Sequence, residues 1–204
     1  MNRLSRGYSQ LAPFYDDLAR IVIGKSIQDS QRNFIPYLAA RKKLLLLGGG
    51  TGWILPAIEK VNQQLEIHYI DASPGMITRA RKNTVLPNIR WICGTEGDIP
   101  DRDYDCVMTN FYLDHFENVE LKKFTGDLAN RIVPGACWLV TEFTANSTWQ
   151  RVQIRMMYLF FWLITGLRTT RLPAWKNILH EAGGKLIAEK NWREGLITSC
   201  VYLF

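Results

Sequence analysis

The 204-residue sequence has few groups that bind metals or close disulfides, with only four cysteines and three histidines. Cys93, Cys106, Cys137 and Cys200 stand far apart, with no C-x-x-C pair and no Cys/His cluster at ligand spacing, so a zinc site is not expected. Each lies in an apolar stretch that reads as a strand, which suits buried free thiols in a reducing compartment. No apolar run reaches the ~18 residues of a membrane-spanning helix. The opening Met1-Asn2-Arg3-Leu4-Ser5-Arg6 lacks the apolar core of a signal peptide, so a cytoplasmic protein is expected. The net charge is +6, yet no block of five or six like charges occurs. Scattered charge of this kind fits a solvated basic surface, or weak attraction of an anionic ligand, and gives little support to nucleic-acid binding. Repeats, low-complexity segments and linkers are missing too, and the length suits one domain.

What is present centres on Leu44-Leu45-Leu46-Leu47-Gly48-Gly49-Gly50-Thr51-Gly52-Trp53. Four leucines after a basic pair read as a strand buried on both faces. The glycines permit a tight turn and close approach to a ligand, and a helical pattern resumes at Ile54. Strand, glycine turn and helix open a doubly wound α/β domain that binds a nucleotide-like ligand. The register is G-x-G-x-G. The dinucleotide fingerprint needs a glycine where Trp53 stands, which disfavours an NAD-dependent oxidoreductase.

Further units follow in order. The first forty residues read as helices, with Tyr8, Leu11, Phe14, Tyr15 and Leu18 on one apolar face and Ile27, Phe34, Tyr37 and Leu38 on a second helix that Pro36 kinks or ends. Strands are expected at about 43–47, 65–70, 89–93, 104–110 and 136–143, and a last pair at 185–192 and 196–204. Ser73 and Pro74 suit the cap and first position of a helix, and Pro134-Gly135 suits a turn. A very apolar helix spans about 149–167. Its densest part, Met156 to Leu167, would be about 18 Å long against the ~30 Å hydrocarbon core of a bilayer. The expected fold is a doubly wound α/β domain over 1–204. Its seven-stranded sheet is mostly parallel with a terminal antiparallel hairpin, with 1–40 as N-terminal helices and about 146–168 as an apolar cover.

Four segments make the chain resemble a class I S-adenosylmethionine-dependent methyltransferase. They are Leu47-Gly48-Gly49-Gly50-Thr51-Gly52, Tyr69-Ile70-Asp71-Ala72-Ser73-Pro74-Gly75-Met76, Gly94-Thr95-Glu96-Gly97-Asp98-Ile99-Pro100 and Tyr104-Asp105-Cys106-Val107. Tyr8 through Tyr15-Asp16 resembles the start of small-molecule members such as the quinone-biosynthesis C-methyltransferases. The resemblance implies a Rossmann-like fold, S-adenosyl-L-methionine as cofactor and a small-molecule methyl acceptor. The family often carries an acid two positions before the first glycine, where this chain has Leu46, and an Asp after the third strand, where it has Thr95 followed by Glu96. Base-amine methyltransferases of the family have Asn/Asp-Pro-Pro-Tyr after the fourth strand. Here Asn110-Phe111-Tyr112-Leu113 lacks the prolines, which argues against a nucleobase acceptor.

The residues assign roles independently. Gly48, Gly49, Gly50 and Gly52 bring backbone amides to the amino-acid end of the ligand. Asp71 ends the second strand 23 positions after Gly48, near the spacing of about 20 at which an acid receives ribose hydroxyls. Its plainer role is a carboxylate at a helix start. Ala72, Met76, Thr95, Glu96 and Asn110 complete the expected cofactor site, with Met76 equally readable as core. The resemblance implies that Tyr15 covers the cofactor; by itself it reads as an ordinary helix aromatic. His115 is a candidate general base, with a structural or surface role as an equal reading. The expected activity is methyl transfer to a small, partly apolar metabolite, by a monomer or a homodimer. The alternative is a degenerate cofactor-binding module that regulates a partner.

Overall fold

Leu44 to Leu47 have almost no exposure to solvent because their strand lies mid-sheet with helices on both sides. The computed structural model describes residues 26–100, 102–165 and 171–204, and of Met157 and 159–165 the backbone alone. The strands are β1 (Lys43–Leu47), β2 (Glu66–Asp71), β3 (Ile89–Cys93), β4 (Tyr104–Asn110), β5 (Ile132–Phe143), β6 (Lys185–Trp192) and β7 (Ile197–Leu203). Their order is β3-β2-β1-β4-β5-β7-β6. All run parallel except β7, which is antiparallel to both β5 and β6. The order reverses between β1 and β4, which opens the crevice where such sheets bind ligands.

The helices are α1 (Ser26–Arg32), α2 (Leu55–Val61), α3 (Pro74–Ala80), α4 (Asn118–Ala129), α5 (Thr148–Thr165) and α6 (Trp175–Glu181). Strand side chains alternate between faces, so the β1 leucines divide. Leu44 and Leu46 pack with Leu55 and Ile58 of α2 and with Cys106 and Met108 of β4. Leu45 and Leu47 join the cluster holding Trp138 of β5, Leu121 and Phe124 of α4, and Trp175 and Ile178 of α6. A third cluster joins Phe143 of β5, Ile154 and Tyr158 of α5, and Ile197 of β7.

Several expectations are refined. Ser73 caps α3 by accepting the Met76 N–H at 3.2 Å, with Pro74 in the first turn. Pro36 ends the second expected helix: α1 stops at Arg32, and a separate 3-10 turn covers Ile35–Leu38. Proline lacks the N–H that a continuous helix would use. Pro134-Gly135 is not a turn before a strand. β5 already pairs at Ile132 with Tyr104, and the next pairing is Cys137 with Cys106, so β5 takes five steps to two on β4. The excess bulges out around Gly135, whose φ is +81°.

The cysteine expectation holds for three of four. Cys106, Cys137 and Cys200 are buried free thiols, and Cys106 and Cys137 face each other across β4 and β5 with sulfurs 3.1 Å apart. Cys93 is exposed, because β3 is the edge strand and only partly covered. His68 has structural partners, with Nδ1 2.8 Å from the Tyr104 hydroxyl and Nε2 3.1 Å from Glu66. The helix around Tyr8 to Leu18, Gly24, and the end of the apolar helix near Leu167 lie outside the described residues.

The turn after β1 is held by packing at Gly52, whose φ is +72° and whose added Cβ would lie 2.6 Å from Cβ and 2.7 Å from Cα of Ala80. Gly52→Ala is therefore expected to lower stability by about 2–4 kcal/mol, from left-handed strain plus overpacking. Gly50→Ala meets no atom within 4 Å and should cost only the backbone strain, about 1–2 kcal/mol. Denaturant unfolding of the two variants distinguishes these costs.

Candidate functional site

The glycine turn is closed by hydrogen bonds from β2. The Gly48 N–H donates to Ile70 O at 2.9 Å, and the Gly52 N–H to Gly49 O at 3.2 Å. The Gly50 N–H donates to Asp71 Oδ2 at 2.8 Å, while the Tyr69 hydroxyl donates to Gly50 O at 2.9 Å. The expectation that these glycine amides reach a ligand is thus revised, since their N–H groups are engaged within the fold. What remains is shape. A Cβ at Gly48 would meet the Tyr112 ring at 2.5 Å, and one at Gly49 would enter the Tyr69 ring. Gly50 alone of the four has open space where a Cβ would go, and there the backbone presents a bare surface to the cavity.

That cavity, of about 1380 Å³, lies at the carboxyl ends of β1, β2 and β4. Gly48, Gly49, Gly50, Asp71, Ala72, Met76, Thr95, Glu96, Asn110 and His115 all line it, as expected. Gly52 does not, being turned against α3. Tyr15 lies outside the described residues.

Asp71 holds the turn and faces the cavity together. Its Oδ1 accepts the Ser73 N–H at 2.8 Å, and its Oδ2 accepts from Gly50. Burial pushes its pKa up and these two bonds pull it down. A carboxylate oxygen has two acceptor sites, so each keeps one for a ligand hydroxyl. Thr95 is a cap: its side chain accepts from the Asp98 N–H, and Asp98 accepts the Thr95 N–H at 2.9 Å. The turn so formed, Glu96–Asp98, places Glu96 to accept the Tyr112 hydroxyl at 2.9 Å.

Tyr112 and Glu142 were not singled out from the sequence. Phe111, just after β4, has φ +52°, an uncommon left-handed conformation for a bulky residue. Its N–H donates to Thr141 O at 2.7 Å, and the next two N–H groups, of Tyr112 and Leu113, donate to Glu142 Oε1 at 2.7 and 2.6 Å. Glu142, in β5, is wholly buried. Burial, and then Glu96, push the Tyr112 phenol well up, so it stays a donor. The signal for Glu142 was a lone acid in an apolar strand. Tyr112 had only its place after β4 to mark it.

His115 is half-buried, with Nε2 3.8 Å from Asp114 Oδ1, and its charge acts on Asp71. Asp114 and Tyr158 are each 4% exposed and line the cavity. Burial pushes up the pKa values of Asp114, Glu142 and Tyr158. Asp114 Oδ1, Glu142 Oε2 and the Tyr158 hydroxyl make no hydrogen bond among the described residues. No group of three or more His, Cys, Asp or Glu suited to a metal occurs among the described residues.

Sheet order, glycine turn and the acid ending β2 together define the class I methyltransferase fold. Residues 44–135 match the methyltransferase-domain family model. It is 26% identical over 155 residues to a malonyl-[acyl-carrier protein] O-methyltransferase of Priestia megaterium, over 73% of this chain and 54% of the relative. An O-methyltransferase family protein from Burkholderia thailandensis superposes with a TM-score of 0.69 at 17% identity, over 90% of this chain and 58% of that one. Human N-acetylserotonin methyltransferase, solved with S-adenosylmethionine, gives 0.69 at 14% identity, over 98% of this chain and 57% of that one. The chain spans little more than half the length of each. S-adenosylmethionine is the cofactor of this class, and the residues fit it: the cradle at Gly50 is one a Cβ would fill, and Asp71 has acceptor sites for vicinal hydroxyls.

Two outcomes follow. By calorimetry with S-adenosylhomocysteine, Gly50→Val is expected to abolish binding, and Asp71→Ala to weaken it by about 1.5–3 kcal/mol, as for hydrogen bonds to a charged group. Unchanged affinity in both folded variants rules out this site. Glu142, facing Asp114 and Tyr158 with His115 beyond, has a folded pKa well above its ordinary 4.5. The native state then keeps a proton that the unfolded chain releases above pH 4.5, so wild-type stability falls as pH rises past that point. Glu142→Gln keeps the Oε1 acceptor and removes this titration. In denaturation at pH 5 and pH 7, the variant should lose less stability than the wild type over that interval.

Proposed function

We propose that the protein methylates an oxygen of a small, partly apolar acceptor, using S-adenosylmethionine. The single observation carrying this reading is the continuity of the cavity. One space of about 1380 Å³ joins the Gly50 and Asp71 end to an apolar wall from α5, including Val152, Ile154 and Met156. A pocket for one drug-sized ligand is about 300–1,000 Å³, so this space has room for cofactor and acceptor together. Choice of oxygen follows the O-methyltransferases among the similar proteins.

The cofactor, when bound, supplies a methyl group already activated on a sulfonium sulfur. The chain has then to align the acceptor oxygen with that methyl group and exclude water. The proton leaving the acceptor hydroxyl goes to His115, which lines the same space. Helix α5 acts as a cover on the acceptor side, within a single domain. Trp149, 69% exposed, stands at its rim with Arg151 and Arg155, both exposed.

A second reading, a cofactor-binding module without turnover, draws on Leu46, which lines the cavity where the family often has an acid. Turnover decides between them: S-adenosylhomocysteine release is measured across a panel of phenols, aliphatic alcohols and carboxylic acids. Binding of the cofactor with no release on any of them would favour the module. With a working acceptor, His115→Ala is expected to lower turnover at least tenfold, or about 1.4 kcal/mol, with cofactor affinity unchanged. A smaller loss argues against a base.

A further inference from the structure

Native proteins rarely leave a buried polar atom without a partner, and here three such atoms collect at one place. Asp114 Oδ1, Glu142 Oε2 and the Tyr158 hydroxyl all lack a hydrogen bond among the described residues. Their residues are 4%, 0% and 4% exposed. They come from three elements: the turn after β4, the end of β5 and the middle of α5. Asp114 and Tyr158 line the cavity, while Glu142 stands behind, its other oxygen spent on the Tyr112 and Leu113 N–H groups. Asp114 pushes the Glu142 carboxyl up, and both act on Tyr158. Burial raises both carboxyls and so disfavours their charged forms. His115 stands beside Asp114, its Nε2 3.8 Å from Oδ1 and outside hydrogen-bond reach.

We propose that Asp114, backed by Glu142 and flanked by Tyr158, is the polar subsite of the acceptor pocket, taking a hydrogen-bond donor of the acceptor, a hydroxyl or an ammonium, and rejecting a carboxylate. It rests on the methyltransferase reading above and adds the class of head group. The open acceptor sites are carboxyl oxygens, and a donor satisfies them. An anionic head group would bring a further negative charge beside two buried acids, in a dry corner where like charges cost most. A donor held at Asp114 Oδ1 also keeps the acceptor beside His115 Nε2.

The test uses three probes of one size: 2-phenylethylamine, 2-phenylethanol and phenylacetate. Each is titrated by calorimetry into protein saturated with S-adenosylhomocysteine. The amine is expected to bind at least about tenfold more tightly than phenylacetate, with the alcohol between them. Asp114→Asn should bring amine and carboxylate within about threefold of each other, and Tyr158→Phe should weaken the alcohol about threefold. Both variants should hold S-adenosylhomocysteine as the wild type does. Phenylacetate binding as tightly as the amine overturns this inference alone, as does an unchanged ratio in Asp114→Asn, or failure of both donor probes to bind. If Asp114→Asn does not fold, an unchanged alcohol affinity in Tyr158→Phe overturns it. Absence of S-adenosylhomocysteine binding overturns the methyltransferase reading itself.

Discussion

One carboxyl oxygen of Glu142 takes the N–H groups of Tyr112 and Leu113 at 2.7 and 2.6 Å, inside the protein and away from water. The site is arranged around this contact. It stops β4 from running on, forces the left-handed φ at Phe111, and turns the chain back under the cavity. Tyr112 is then set against Gly48 and bonded to Glu96, which ties the turn after β4 to the turns after β1 and β3. Asp114 and His115 follow on the same short turn and reach the cavity. A neutral side chain at 142 with no acceptor would leave two buried N–H groups unpaired, at about 1–3 kcal/mol each.

The arrangement runs against stability in three ways. Glu142 and Asp114 are acids whose burial raises their proton affinity, and Asp114 raises that of Glu142 further. Phe111 sits in a region of backbone space that bulky residues avoid, at about 1–3 kcal/mol. Three polar atoms there lack partners. Such costs cluster where a chain must present chemistry, and these three involve the turn after β4 together with the end of β5 and the middle of α5. Among the described residues on the opposite side of the sheet, Leu44, Leu46, Leu55 and Ile58 fill ordinary apolar space.

What was legible in the sequence follows the same division. The strand runs 89–93, 104–110 and 185–192 read correctly because apolar alternation and turn residues agreed there. The turn after β1 and the place of Asp71 at the end of β2 were legible because a strand, a turn and an acid at fixed spacing leave few other arrangements. Pro134-Gly135 misled because a local turn signal was absorbed as a bulge within a longer strand. Cys93 misled because burial depends on whether a strand lies at the edge, and that is a property of sheet order. Tyr112 and Glu142 were illegible as a pair. Thirty residues separate them, and only the pairing of β4 with β5 brings them together.

The glycine motif itself is less a ligand contact than it looks. Gly48 makes room for Tyr112, Gly49 for Tyr69 and Gly52 for Ala80, and of the four only Gly50 has open space where a Cβ would go. Its turn is held on both sides from β2, the Asp71 carboxylate taking the Gly50 N–H and the Tyr69 hydroxyl giving to the Gly50 carbonyl. This bears on Leu46. An acid in β1 is one means of holding a ligand near this turn, but the turn's own shape does not depend on it here. Its two clamps, Tyr69 and Asp71, stand two residues apart in β2, so the cradle is formed before any ligand arrives. Leu46, buried among Leu44, Leu55 and Met108, contributes packing where many relatives place a charge. The binding that such a charge would provide has then to come from the rest of the cavity wall, which places the burden on Asp71, Glu96 and the turn that Glu142 holds.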